Sequence, residues 1–196
     1  EEVKRSHRFT LDALVAMLDA RERQTGRHSV RARDLAVLLG QKMSLDALTM
    51  EAIASGAFLH DIGKIGVPDA ILLKPGPLLP DEWTVMRTHC EIGYNILRSN
   101  PYLREEAEIV RAHHEHFDGS GYPRGLRGEQ ICIGARIFSV VDTYDAMRSD
   151  RVYRPAQPPE KAIAEIVRYS GTQFDPQVVK VFLDAQPDLE RILTKP

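Results

Sequence analysis

The sequence predicts an all-α domain, and three observations predict it. Apolar residues recur at helical spacing almost throughout, no stretch alternates with the two-residue period of a strand, and glycine and proline cluster between the periodic segments. Length agrees with one domain, since 196 residues at 43% hydrophobic can enclose a substantial core.

Taken in order, Leu11, Leu14, Val15 and Leu18 form one stripe, which makes residues 9–21 the end of a long first helix. Thr25-Gly26 breaks it, and a second helix is expected from about His28 to Leu39. Residues 45–60, rich in Ala, Leu, Ile and Phe, form the third. Gly63 to Pro80 holds four prolines and reads as loop with one short helix at 69–73. A fourth helix fits 81–99, and Pro101 opens a fifth that runs to about His116. The segment Asp118-Gly119-Ser120-Gly121-Tyr122-Pro123-Arg124-Gly125 is the most loop-like part of the chain. Residues 132–148 are apolar nearly all round, the pattern of a buried helix. Pro155, Pro158 and Pro159 then separate it from shorter helices near 160–169, 176–184 and 187–193.

Composition narrows the function. A net charge of −2 argues against a nucleic-acid polymer, whose backbone calls for a basic excess, but not against a small phosphate ligand. No apolar run is long enough to span a bilayer, and no signal peptide is visible. Cys90 and Cys132 lie far apart with no CxxC pair, so neither a zinc ribbon nor a disulfide framework is expected. Seven histidines leave imidazole and carboxylate to carry any metal chemistry. The chain starts at Glu1 rather than Met, as a piece of a longer protein would. Arg31, Arg33, Arg87 and Arg98 read as solvated surface.

Several apolar faces are interrupted by polar residues. His28 continues the stripe of Ala32, Leu35 and Leu39. His60 shares a face with Ile53 and Ala57, with Asp61 directly after it and Lys64 one turn on. His89 aligns with Val85, Ile92 and Ile96, while His113 follows Ile109 and His114 follows Val110, each by four residues. Asp142 is surrounded by Ile137, Phe138, Val141 and Tyr144. One inward histidine is ordinarily a satisfied core residue. Five of them with two carboxylates point to metal, because a buried unpaired carboxylate costs several kcal/mol and needs a cation, a proton or a donor. The donor set suits iron, manganese, zinc, nickel or cobalt, and the lack of thiolate argues against a closed structural zinc site. Seven donors exceed one ion's needs but serve two if Asp61 bridges, an arrangement that clamps a phosphoryl group.

His60-Asp61 followed by Ile62-Gly63-Lys64 resembles the signature of the HD superfamily of metal-dependent phosphohydrolases. The run from His113-His114-Glu115-His116 through Phe117-Asp118-Gly119-Ser120 to Gly121-Tyr122-Pro123 resembles the extended motif of its HD-GYP subfamily. The likeness extends from about Arg21 to Leu183, including Lys74-Pro75-Gly76-Pro77-Leu78 and Ser170-Gly171-Thr172-Gln173-Phe174-Asp175-Pro176. It implies an HD-type helical bundle with added C-terminal helices over residues 21–196, and residues 1–20 as a linker or signalling helix. It implies a bacterial, cytoplasmic phosphodiesterase, the output part of a larger sensor protein, that hydrolyses cyclic di-GMP to the linear dinucleotide or on to GMP through a metal-bridging hydroxide.

Carried over by position, His28, His60, Asp61, His89, His113, His114 and Asp142 become the metal ligands, with iron or manganese expected first. Lys64 would hold a non-bridging phosphate oxygen, and Arg151 and Arg154 would contact phosphate or guanine. Val152 stands where the family commonly has proline. Some members hold a third ion through a glutamate four residues before the first ligand histidine; Gln24 stands there, so a binuclear centre is expected. Asp145 is either an orienting partner of a ligand or a surface carboxylate, His116 lies outside the ligand set, His7 is expected to be exposed, and Asp118 braces its loop. Gly121, Tyr122 and Pro123 form a structural turn beside the pocket or a docking surface for diguanylate cyclase domains. A homodimer through the Leu11, Leu14, Leu18 stripe is a further expectation. Two other functions are left open: hydrolysis of another cyclic dinucleotide such as cyclic GMP-AMP, and a sensor or adaptor domain that binds metal and ligand with little turnover.

Overall fold

The computed structural model describes residues 2–22, 27–150 and 155–194. Its helices are α1 (Glu2–Glu22), α2 (Arg27–Lys42), α3 (Ala47–Leu59), α4 (Asp69–Leu72), α5 (Pro80–Arg87), α6 (His89–Leu97), α7 (Arg104–Ala112), α8 (Ile133–Arg148), α9 (Pro159–Arg168), α10 (Pro176–Asp184) and α11 (Gln186–Leu193). Short 3-10 turns cover Ile62–Gly66, Pro101–Leu103 and Gly128–Gln130. No strand occurs among the described residues, only an isolated bridge between Ser170 and Phe174. The fold is all-α.

Two main apolar cores build the described part of the molecule, with a small third of Ala112, Ile131 and Ala135. The larger joins Leu35 and Leu39 of α2, Ile53 of α3, Ile109 of α7, Phe138 and Tyr144 of α8, and the C-terminal helices through Ile166, Phe182 and Leu189. The smaller joins Val15, Leu59, Ile62, Leu97 and Val110. Helix α8 is the pillar of the first, as its nearly all-apolar sequence predicts. Its last turn also grips α11, where Arg148 pairs with Glu190 at 2.9 Å and Tyr144 donates to the same carboxylate.

Three expectations are corrected. The fourth helix divides into α5 and α6, because the amide and hydroxyl of Thr88 both bond to the carbonyl of Val85 and tighten the turn. The buried face of α6 is therefore His89, Cys90, Gly93 and Leu97, whereas Ile96 is exposed. The fifth helix starts as a 3-10 turn and stops at Ala112, so His113 and His114 lie on the turn just beyond its end. The α1 stripe is taken up within the chain: Val15 and Leu18 are buried, and Leu11 and Leu14 pack on the smaller core.

Candidate metal centre

The site forms at the seam of the two cores. His60 follows Leu59 of the smaller core, and its ring lies 4.6 Å from Phe138 of the larger. His28 comes from the first turn of α2, His89 opens α6, His113 and His114 follow α7, and Asp142 sits in α8. Asp61 leads into the 3-10 turn that carries Lys64. That turn packs directly on α6: a Cβ on Gly63 would stand 1.9 Å from the carbonyl oxygen of His89 and 2.5 Å from the amide of Gly93. Glycine is required there to bring Asp61 beside His89.

The side chains divide into two groups joined by one carboxylate. Ligand-capable atoms of His28, His60 and Asp142 lie within 4.8 Å of one another, as do those of His89, Cys90, His113 and His114. Asp61 lies between them, with Oδ2 3.0 Å from Nε2 of His60 and Oδ1 3.8 Å from Nε2 of His89. Each oxygen of one carboxylate thus faces a different histidine group.

Hydrogen bonds from the backbone fix the ring orientations. His60, His89 and His113 donate through Nδ1 to the carbonyls of Ala57, Met86 and Val110, at 2.9, 2.7 and 2.6 Å. In His89 and His113 this leaves Nε2 as a lone pair turned into the site, the pattern of metal-binding imidazole. Burial opposes the charged form of His60, but Asp61, 3.0 Å from its Nε2, more than offsets this and raises its pKa. Burial holds the pKa of His89 and His113 below the ordinary histidine value. Burial, aided by His89, brings His114 down to about 4. Neutral rings cannot satisfy each other here, because Nε2 of His89 and Nε2 of His113 stand only 3.2 Å apart. Two facing lone pairs at that distance call for a cation, so the residues present fit a bound divalent metal. Burial opposes ionisation of Asp61, yet His60 and Lys64 outweigh it and hold the carboxyl well below its ordinary range. Cys90 adjoins the cluster 3.5 Å from Nε2 of His89, but burial pushes its thiol upward and keeps it protonated.

Asp145 is the carboxylate buried in α8, at 1% exposure, whereas the side chain of Asp142 is 28% exposed. This reverses the sequence expectation about which of the two is enclosed. Asp145 accepts from Nδ1 of His28 at 2.6 Å and from Nε of Arg31 at 2.6 Å, while Arg31 also reaches Ser149 at 2.9 Å. Arg31 is therefore an ion-pair partner rather than solvated surface. Asp142 approaches Nε2 of His28 at 3.6 Å. Asp145→Asn keeps the shape but removes the charge that orients His28. Metal affinity, measured by competition with a chelator, is expected to fall about 10- to 100-fold; unchanged affinity would reduce Asp145 to a packing role.

Lys64 lies 2.7 Å from Oδ2 of Asp61 and 3.3 Å from Glu22 of α1. Burial would lower its pKa, but the two carboxylates more than offset this and keep it a cation. The turn is held from α1 by Arg21, whose guanidinium donates to the carbonyls of Lys64, Ile65 and Val67 and to the carboxylate of Asp69. Sequence periodicity gave no signal for Arg21 or Glu22, which act from the end of a separate helix.

The glycine-rich loop closes over His114. Gly121 has no room for a side chain, since a Cβ would meet the amide of His116 at 2.2 Å. The ring of Tyr122 stacks on His114 at 4.8 Å, and the guanidinium of Arg87 lies 4.9 Å from the other partner, Tyr122. Arg87 is thus part of the site's wall rather than isolated surface. Buried Glu115 accepts from the amides of Arg124 and Leu126 at 2.7 and 3.0 Å, bracing the loop around Pro123. Sequence reasoning passed over Glu115, although its place between His114 and His116 was the available signal. The amides of Phe117 and Asp118 donate to the carbonyls of Gln173 and Thr172, joining two motif segments far apart in sequence. Asp118 accepts from the Ser120 amide as an Asx turn would, and His116 bonds to Ser120 away from the cluster. Arg151, Val152, Arg154 and Gln24 lie outside the described residues, as does the side chain of His7.

Residues 12–178 match the HD domain family. The chain is 44% identical over 181 residues to a cyclic di-GMP phosphodiesterase of Thermotoga maritima, covering 91% of this chain and 49% of that protein. It is 39% identical over 193 residues to the cyclic di-GMP phosphodiesterase response regulator RpfG of Xanthomonas campestris, covering 97% and 51%. A 3'3'-cGAMP-specific phosphodiesterase of Vibrio cholerae is 38% identical over 173 residues, covering 87% of this chain and 33% of that protein. Among solved structures, a cyclic GMP-AMP-specific phosphodiesterase of V. cholerae superposes with a TM-score of 0.70 at 18% identity, covering 94% of this chain and 51% of that one. The chain belongs to the HD domain family, and its His113–Pro123 stretch sets it with the HD-GYP members. It spans about half the length, or less, of these curated relatives.

Proposed function

We propose that this chain is a metal-dependent phosphodiesterase that hydrolyses cyclic di-GMP to the linear dinucleotide or on to GMP. The observation that carries the reading is Asp61, which turns one oxygen toward each of two histidine groups. His28, His60 and Asp142 would hold one ion, His89, His113 and His114 a second, and Asp61 would be shared. Iron or manganese suits this set of neutral imidazoles and carboxylates, and no closed thiolate cage competes. Ions held there supply Lewis acidity and activate a water for in-line attack on a phosphodiester.

The chain's own groups do the rest. Lys64 stays protonated beside Asp61, ready to meet a non-bridging phosphate oxygen and offset charge gathering on the equatorial oxygens. Arg21 and Gly63 keep that lysine and Asp61 in register with His89. Arg151 and Arg154 follow α8 directly and would reach the phosphate or guanine. Residues 21–196 form the hydrolase domain in this reading, and residues 1–20 the helix leading into it. The setting is the bacterial cytoplasm, where a nucleotide messenger is made and consumed, and no described helix is long and apolar enough to cross a membrane. A diguanylate cyclase domain would dock at the exposed side of the GYP loop, near Arg124. A homodimer would need a face of α1 other than the stripe already packed on the core.

A second substrate reading is favoured by the cGAMP-specific relative, whose identity to this chain approaches that of the cyclic di-GMP phosphodiesterases. Metal ligands recognise the phosphate and leave the base to other residues. Protein purified under reducing conditions with iron or manganese is expected to convert cyclic di-GMP, with cyclic GMP-AMP slower. Faster turnover of cyclic GMP-AMP would assign the second substrate. Absence of turnover at full metal occupancy would overturn the enzyme reading in favour of a binding domain.

A further inference from the structure

Helix α5 buries none of its residues, yet it carries the chain's single tryptophan. Pro80, Trp83, Thr84 and Arg87 recur at helical spacing along one face and line an open groove of about 500 Å³ with Tyr122. Trp83 is 46% exposed in that groove. Two contacts join it to the histidine cluster. Arg87 lies over the ring of Tyr122 at 4.9 Å, and Tyr122 stacks on His114 at 4.8 Å.

We propose that this groove is the subsite for a purine base of the substrate, with Trp83 as the stacking face and Arg87 as the cation that meets the base edge or its phosphate. The proposal rests on the phosphodiesterase reading for its substrate and extends it to residues that the metal site does not use. A nucleotide whose phosphate lies among the histidines carries its base one ribose away, and the groove is bounded by Tyr122, the ring that stacks on His114. An indole face left in water is poor packing but a ready platform for a nucleobase, because every base presents a π-surface. Stacking is tolerant of base identity, so the groove grips a purine and does not by itself separate guanine from adenine. The guanidinium, planar and weakly hydrated, can stack and donate together, which an ammonium cannot.

The test uses Trp83 as its own reporter, since no other tryptophan contributes to emission. In metal-loaded protein, GMP is expected to quench that emission on selective excitation, whereas ribose 5-phosphate, which has the phosphate without the purine, is not. Trp83→Ala is expected to raise the KM for cyclic di-GMP about tenfold with a much smaller change in kcat, and Trp83→Phe to recover most of the loss. The exposed position makes unfolding of the variant a minor concern, and a thermal melt checks it. Equal quenching by both ligands, no quenching by GMP at millimolar concentration, or an unchanged KM in Trp83→Ala would overturn the groove. Failure of the wild-type protein to turn over cyclic di-GMP would count instead against the proposed function, and the GMP titration would still decide the subsite.

Discussion

Asp61→Ala is expected to abolish metal binding and phosphodiesterase activity together. The carboxylate turns one oxygen toward each histidine cluster, 3.0 Å from His60 and 3.8 Å from His89. Its removal takes the shared anion from five imidazoles and takes from Lys64 the carboxylate 2.7 Å away, leaving Glu22 at 3.3 Å. The repulsion then opposes any cation entering the site. We expect kcat/KM to fall roughly a thousandfold or more, the consequence of losing several kcal/mol of transition-state charge stabilisation. Asp61→Asn supplies the finer comparison, because a carboxamide offers one oxygen instead of two and no charge. It should lose most activity while retaining part of the metal. Metal analysis and steady-state kinetics on the same preparations check both, and an Asp61→Ala protein that keeps its metal and its activity would end the account.

Gly63→Ala is expected to cost about 3 kcal/mol or more of stability, an unusually large effect for adding one methyl group. The methyl would meet backbone atoms of His89 and Gly93 rather than the yielding tip of a side chain. The 3-10 turn and α6 would have to separate, and Asp61 and Lys64 would move away from His89 with them. Urea denaturation measures the first effect, and metal content after purification measures the second. A loss of stability within about 0.5 kcal/mol would show that the turn can shift without strain, contrary to this packing.

Helix periodicity made much of this architecture legible. The C-terminal helices fall close to their predicted bounds, and the apolar wrap of residues 132–148 gave the central helix. The errors have local causes. Thr88 divides a helix by bonding to its own preceding turn, which no hydrophobic count registers. The face of α6 was misassigned for the same reason, leaving Ile96 outside and Cys90 inside. Ligand-type residues stood out because histidine on an apolar stripe violates the pattern it interrupts. Their supports did not stand out: Arg21, Glu22, Arg31 and Glu115 are charged residues in places where charge is ordinary, and only tertiary contact gives them a role. Asp142 and Asp145 show the limit most clearly. They lie one turn apart on the same helix, and pairing with Arg31 and His28 is what lets the second be the buried one.

The central claim is that Asp61 joins two separate metal positions. Anomalous scattering from crystals of the metal-loaded protein tests it most directly. Two peaks per chain are expected, one within the group of His28, His60 and Asp142 and one within the group of His89, His113 and His114, with Asp61 between them. A single peak, a third at full occupancy, or two peaks that do not share Asp61 would contradict it.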